Sequence, residues 1–141
     1  MLFRSVNSIT VAHNGVLTNE KQLKEKCKSP YNEVDSSVIP ALISDKVKQG
    51  EEYKDAIVNT LSELEGTYSV WIIAGYKLYF GRAASTLFMN KDTQEFSSIK
   101  LPNIETEVPE GQLFEVTSSS FEPVAKFKVK DRKSTRLNSS H

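Results

Sequence analysis

With 141 residues, the chain is long enough for one domain or part of one. Its 18 basic and 18 acidic side chains balance, so no basic footprint indicates a nucleic acid as partner. No apolar run approaches the ~20 residues that a membrane-spanning helix needs, and the N-terminus lacks the apolar region of a signal peptide. A single cysteine excludes an internal disulfide framework and favours a reducing, cytoplasmic location.

The two ends of the chain differ from the rest in their composition. Residues 133–141 are polar and patternless and resemble a translated sequencing adapter, as do Leu2 to Ser5. An ordinary disordered tail has the same composition. We therefore assign the domain to residues 6–130 and set aside 1–5 and 131–141 as non-native or disordered ends.

The first strand leads into an Asn-Gly pair. Ser8 to Ala12 predicts a strand that pairs, after a turn at Asn14 and Gly15, with Val16 and Leu17, because Asn-Gly is the strongest short-range signal for a two-residue hairpin. The pair has a second interpretation, since an Asn carboxamide and a Gly N–H are neutral donors that can face a developing oxyanion. On these two residues alone, the sequence favours the hairpin.

A short helix follows this strand. Asn19, with Gln22 three residues later, is a capping pattern for a helix that ends near Cys27. The lysines on either side of Cys27 could lower the pKa of its thiol. A catalytic thiol needs a base partner, and the sequence offers none, so we interpret Cys27 as an ordinary surface or half-buried thiol.

Two longer helices are predicted next. Asp35, Ser36 or Ser37 caps the first of them, in which apolar residues recur four positions apart and which Gly50 ends. The second runs from Tyr53 to Leu64 and has one apolar face. Two successive helices with one apolar stripe each should lie side by side on a sheet.

The remainder is predicted to be β. Tyr68 to Ala74 is nearly all apolar and predicts a central strand buried on both faces, which a turn at Gly75 and Tyr76 joins to Lys77 to Phe80. Two more hairpins are predicted, Thr86 to Met89 with Glu95 to Ile99, and Gln112 to Thr117 with Val124 to Val129. Helices followed by a run of hairpins indicate an α+β fold.

A series of short motifs resembles the class II glutamine amidotransferases, whose glutaminase domains are N-terminal-nucleophile hydrolases. The motifs are His13-Asn14-Gly15 with Leu17-Thr18-Asn19, Asp35-Ser36-Ser37-Val38-Ile39, Leu64 to Val70, Lys77 to Ser85, Glu95-Phe96-Ser97-Ser98, and Val108 to Leu113. Each motif is weak alone, and their order along one domain carries the resemblance. The resemblance implies part of an αββα sandwich, with antiparallel sheets and two or three helices.

The resemblance also implies a mechanism. In that family the thiol of an N-terminal cysteine attacks the side-chain amide of glutamine, giving glutamate and ammonia that a synthase domain transfers to an acceptor. Asn14 and Gly15 would then form the oxyanion hole, and Asp35 with the Gly15 carbonyl would bind the substrate α-ammonium. Neutral donors suit a charge that exists only in the transition state, whereas a carboxylate suits a permanent cation. For Asp35, a role as a plain helix cap remains the alternative.

The chain departs from the family pattern in three places. Leu2 stands where the nucleophilic cysteine is expected, the arginine segment that binds the substrate carboxylate has no room before His13, and Ser37 replaces a glutamate. We therefore expect an internal fragment of a glutaminase domain that is inactive by itself, and we favour the fructose-6-phosphate type. The alternative is a non-catalytic relative, or an unrelated α+β binding domain.

The partners follow from the same resemblance. We expect glutamine as a small-molecule substrate and a synthase domain in the full-length protein, with no nucleic acid and no membrane. We expect no cofactor. A metal site is not expected either, because His13 and His141 are the only histidines and Cys27 has no partner at ligand spacing.

Overall fold

A computed structural model describes residues 9–27 and 38–130, together with the backbone of residues 2–6. In chain order the elements are β1 (Leu2–Val6), β2 (Ile9–Leu17), α1 (Glu20–Lys26), α2 (Val38–Lys48), α3 (Tyr53–Glu63), β3 (Gly66–Ala74), β4 (Lys77–Ala83), β5 (Phe88–Asn90), β6 (Glu95–Ser97), β7 (Thr106–Glu107), β8 (Gln112–Val116) and β9 (Phe121–Lys126). Within these residues the strands form a six-stranded sheet in the order β1-β2-β3-β4-β8-β9 and a three-stranded sheet in the order β6-β5-β7. The pairs within both sheets are antiparallel, so the α+β prediction is confirmed.

Helices α2 and α3 cover one face of the six-stranded sheet. Because side chains alternate along a strand, every second residue of β3 from Tyr68 to Ala74 faces the helices. These residues are buried against the apolar stripes of the helices, which include Ile39, Ile43, Ile57 and Leu61. Each such aliphatic side chain contributes about 1.5–3 kcal/mol through its removal from water.

A second core lies on the opposite face of the same sheet. It contains Phe80, Leu87, Met89, Val108, Phe114 and Phe121, and the three-stranded sheet covers it. The ring of Phe80 packs edge-on against Phe96 and stacks on Phe114, with centroids 4.7 and 5.1 Å apart. The molecule is therefore layered as helices, sheet and second sheet, which agrees with an incomplete αββα sandwich.

The predicted hairpin at Asn14 and Gly15 is wrong. Strand β2 runs without interruption through both residues, and each of its residues from Ile9 to Leu17 has a partner on β3. The turn preference of Asn-Gly is a local effect of a few tenths to about 1 kcal/mol, and the ladder with β3 outweighs it.

Three other expectations need correction. Strand β3 is an interior strand as predicted, but Ile73 is 46 % exposed because the second sheet reaches β3 only near Trp71. Strand β9 begins at Phe121 rather than Val124, and its proline is tolerated because β9 is an edge strand. The two-residue strand β7 was missed, since so short a segment has no alternation to detect.

The helix boundaries agree well with the predictions. Gly50, at φ +102°, follows the end of α2 as expected, and α3 begins at Tyr53. The cap that was predicted for α2 at Asp35, Ser36 or Ser37 lies outside the described residues. Strand β1 lies mostly within the segment 1–5, which its composition set apart from the domain, and its backbone pairs with β2.

Candidate functional site

Asn14 and Gly15 lie where the pairing of β2 changes. On one side Asn14 is opposite Ser69 of β3 and Gly15 is opposite Tyr68. On the other side, among the described residues, β1 pairs with β2 from Ile9 to His13. In the described part of the chain, the last residues of β2 therefore have a partner strand on the β3 side alone.

Gly15 is required by the close approach of β3. Its φ is +135°, and a Cβ atom there would lie 2.1 Å from the carbonyl oxygen of Thr67. Gly66 shows the same relation in reverse, with φ +130° and a Cβ position 2.1 Å from the carbonyl oxygen of Val16. Both contacts are with backbone and cannot be relieved by a rotamer change, so this end of the β2–β3 ladder needs glycine on both strands.

Asn14 presents a carboxamide that is available to a ligand. The residue is exposed, and its side chain makes no hydrogen bond to any other described residue. Because alternate residues face alternate sides, Asn14 points away from the helices, whereas its neighbour His13 is buried on the helix side. An Asn side chain carries two N–H donors and one carbonyl acceptor, so Asn14 can bind a polar ligand on the side of the second sheet.

A partly buried polar network borders Asn14. Ser69, only 4 % exposed, lies opposite Asn14 on one side and opposite Arg82 of β4 on the other. The Ser69 and Ser85 hydroxyl oxygens are 2.9 Å apart, and Arg82 Nη1 donates to the Ser85 carbonyl oxygen at 2.6 Å. Arg82 Nε also donates to the carbonyl oxygen of Val108. The sequence motifs contain Ser69 and Arg82 but indicate no role for either residue.

Asn19 holds the segment that follows β2. It stands at the N-cap position of α1 as predicted, but its side chain makes no capping bond, so that part of the prediction is wrong. Instead Asn19 Nδ2 donates to the Glu63 carbonyl oxygen at 2.7 Å, and the Glu65 N–H donates to Asn19 Oδ1 at 3.0 Å. The end of β2 is thereby tied to the connection between α3 and β3.

Cys27 is not at this site. It packs against the core on the helix side of the sheet, opposite to the face on which Asn14 lies. Burial, together with the charge of Asp45, raises the pKa of the Cys27 thiol to about 11. The expected lowering of this pKa by the flanking lysines, of which Lys28 lies outside the described residues, is outweighed, and the interpretation as an ordinary half-buried thiol is confirmed.

Asp35 lies outside the described residues, so its role as a substrate anchor stays a prediction. A cavity of about 550 Å³ lies between the start of α3 and the β3–β4 turn, with Tyr53, Tyr76 and Lys77 in its lining and without Asn14. Among the described helices, none combines the length and the apolar character needed to cross a membrane.

The chain is similar in sequence to a group of aminotransferases, although no family model matches it. It is 40% identical over 74 residues to a glutamine–fructose-6-phosphate aminotransferase (isomerizing) of Methanococcus maripaludis, a match that covers 46% of this chain and 12% of the relative. The enzyme of the same name from Sulfurisphaera tokodaii is 29% identical over 102 residues, covering 67% of this chain and 17% of that one. The chain thus spans less than a fifth of the length of these curated relatives.

Solved structures resemble the chain over most of its length. A glutamine phosphoribosylpyrophosphate amidotransferase from B. subtilis, complexed with ADP and GMP, matches with a TM-score of 0.68 at 24% identity, over 89% of this chain and 31% of that one. A glutamine aminotransferase class-II domain protein from Silicibacter pomeroyi matches with a TM-score of 0.64 at 18% identity, over 90% and 71% of the two chains. At these identities the likeness shows the fold, which is that of these amidotransferases.

Proposed function

We propose that this chain, which has the fold of the class II glutamine amidotransferases and is related in sequence to fructose-6-phosphate aminotransferases, is part of a glutaminase domain. The full protein would hydrolyse glutamine to glutamate and ammonia and pass the ammonia to a synthase domain. The names of the sequence relatives favour fructose 6-phosphate as the acceptor. We also propose a cytoplasmic location, since a single cysteine suits a reducing compartment.

The observation that carries this proposal is the pair of neighbouring donors on β2. Asn14 offers an exposed carboxamide without a partner among the described residues, and Gly15 follows it directly. Attack on the glutamine side-chain amide creates a negative oxygen, which two neighbouring donors would stabilise in the transition state. Removal of one such donor typically costs a rate factor of about 10²–10³.

The sheet register supports the position of the nucleophile. Leu2, at the start of β1, is the cross-strand partner of His13, the residue before Asn14. A nucleophile at the N-terminal end of such a strand would stand beside the two donors. Cys27, on the other face and with a raised pKa, does not meet the requirements of that role.

Two variants of Asp35 test the substrate anchor. Asn caps a helix as well as Asp does but carries no charge, so Asp35→Asn separates the two roles that the sequence leaves open. If Asp35 binds the α-ammonium of glutamine, Asp35→Asn should weaken glutamine binding in calorimetry by about tenfold or more and leave unfolding by urea nearly unchanged.

The matched control is Asp35→Ala, which removes both charge and cap. It should weaken glutamine binding as Asp35→Asn does, and in addition lower the free energy of unfolding by about 1 kcal/mol. Glutamine binding that is the same in Asp35→Asn as in the wild type would show that Asp35 is a helix cap alone.

The second candidate function is a non-catalytic binding domain. It is favoured by one observation, that the sole cysteine of the chain is a protonated, half-buried thiol away from Asn14. The two candidates share the fold and differ in whether the parent protein brings a nucleophile to Asn14 and Gly15. Reading the parent gene upstream of the strand that contains His13 separates them directly.

A further inference from the structure

We propose that Ser69 is a positioning residue for Asn14, and that its hydroxyl accepts one N–H of the Asn14 carboxamide when a ligand occupies the site. This inference rests on the proposed function, since it concerns how the first oxyanion donor is oriented. It deepens that function by assigning a role to the partly buried network of Ser69, Ser85 and Arg82.

The first step in the argument is position. Directly opposed residues of an antiparallel pair share a face of the sheet and have Cβ atoms about 4.5–5.5 Å apart. Asn14 and Ser69 are such a pair, and Ser69 forms a second one with Arg82. The Ser69 hydroxyl is therefore the polar group that the cross-strand register puts beside the Asn14 carboxamide.

The second step is the need for orientation. A carboxamide can turn either its NH₂ group or its oxygen toward a ligand, and the oxygen would repel an oxyanion. Asn14 is exposed and has no partner among the described residues, so nothing in that part of the chain selects one orientation. An acceptor beside it would fix one N–H and leave the other directed at the ligand.

The third step is that Ser69 can act as this acceptor. A hydroxyl has one proton and two lone pairs, and the 2.9 Å contact between Ser69 Oγ and Ser85 Oγ uses one proton between them. If Ser69 donates that proton to Ser85, its own lone pairs remain available. The relay then runs from Asn14 N–H to Ser69 Oγ, and from the Ser69 hydroxyl to Ser85 Oγ.

The fourth step is that the structure holds Ser85 in place. Ala84, directly after β4, has φ +62°, a left-handed conformation that costs a non-glycine residue about 1 kcal/mol or more. Three contacts stabilise this segment: Arg82 Nη1 to the Ser85 carbonyl oxygen, the Ala84 N–H to the Glu110 carboxylate, and the Ser69–Ser85 pair itself. These contacts offset the strain at Ala84 and hold Ser85 within hydrogen-bond distance of Ser69.

The test is NMR of the full chain, labelled with ¹⁵N and titrated with glutamine. We expect Ser69→Ala to weaken glutamine binding about threefold to tenfold, the range for loss of one hydrogen bond. In the glutamine-bound Ser69→Ala variant, the order parameter of the Asn14 side-chain NH₂ should fall below about 0.6, which is the range of a flexible group. Ser119→Ala, which removes an exposed hydroxyl in the β8–β9 turn, is the matched control and should change neither quantity.

If Ser69→Ala does not fold, Ser85→Ala tests the same relay without altering β3, and we expect the same direction of change. The role of Ser69 would be overturned if the wild-type chain binds glutamine at Asn14 and both variants keep the wild-type affinity and the wild-type order parameter of the Asn14 side chain. That result would leave the proposed function intact. A folded wild-type chain that does not bind glutamine would overturn both.

Discussion

Gly15 is constrained by its neighbouring strand before any ligand is considered. Its positive φ disfavours a side chain, and a Cβ atom at this residue would lie only 2.1 Å from the Thr67 oxygen. The sequence identifies Gly15 as one of two candidate donors but does not indicate this constraint, because it arises from a strand that is distant in the sequence. Asn14, which is exposed and unbonded among the described residues, is therefore the better position for testing the candidate site.

A pair of glycine variants tests this constraint. Gly15→Ala should lower the free energy of unfolding by about 2–4 kcal/mol, since strain at positive φ adds to a backbone clash. Gly50→Ala is the matched control, because Gly50 also has a positive φ but has no atom within 4 Å of its Cβ position. We therefore expect Gly50→Ala to lower the free energy of unfolding by only about 1 kcal/mol, the cost of the positive φ. Equal losses in urea unfolding would contradict the close approach of β2 and β3.

At the scale of elements, Glu63 links the three helices. It ends α3 and forms ion pairs with Lys26 of α1 and with Lys46 of α2, the latter at 2.6 Å. Burial of the carboxyl acts to raise its pKa, but hydrogen bonds from the two lysines outweigh burial and hold the pKa of Glu63 below its usual value. The ion pairs of Glu63 therefore stabilise the fold fully above the usual glutamate pKa of about 4.3. This stabilisation is lost as the pH falls through the lowered pKa of Glu63 in the folded chain.

Glu63→Gln should remove this pH dependence. The difference in unfolding free energy between wild type and variant should be constant near neutral pH and should shrink below about pH 4, as the wild-type carboxylate takes up its proton. Glu25→Gln, which removes an exposed carboxylate of α1 with no ion pair among the described residues, serves as the control. If the unfolding free energies of wild type and Glu63→Gln differ by the same amount at every pH down to 3, the link between the Glu63 ion pairs and stability is contradicted.

Elements with a strong local pattern could be predicted from the sequence. The apolar stripes of α2 and α3 and the β-rich run of β3 appear almost at their predicted bounds. Features that depend on residues distant in the sequence could not be predicted. They are the continuity of β2 through Asn14 and Gly15, the exposure of Ile73 and the side-chain hydrogen bonds of Asn19. In each case a neighbouring element decides the outcome, and periodicity within the segment carries no information about it.

At the scale of the molecule, the layers place the candidate site and the thiol on opposite faces of one sheet. Asn14 lies on the side of the second sheet and Cys27 on the side of the helices. We therefore expect the purified chain to release no glutamate from glutamine in an assay of either product. Release that persists in Cys27→Ala would show that another group supplies the chemistry.

The motifs of the candidate site could be found in the sequence because they are contiguous, whereas the site itself is assembled from several strands. Asn14 and Gly15 are adjacent on β2. Ser69, Arg82 and Ser85 are brought to the same part of the sheet because β2, β3 and β4 are neighbouring strands. The sequence alone indicates the first pair, whereas its motifs contain the three residues of the second group without indicating a role for them.

The most direct measurement is a titration of the ¹⁵N-labelled chain with glutamine, observed at the side-chain NH₂ of Asn14 and the backbone N–H of Gly15. We predict saturable shifts of both signals, and no such shifts with asparagine, whose amide is one methylene nearer to its ammonium group. Asn14→Ala should leave the fold unchanged, because Asn14 is exposed and makes no bond to the described residues. Shifts confined to another region, such as the cavity beside Tyr53 and Tyr76, would contradict the account.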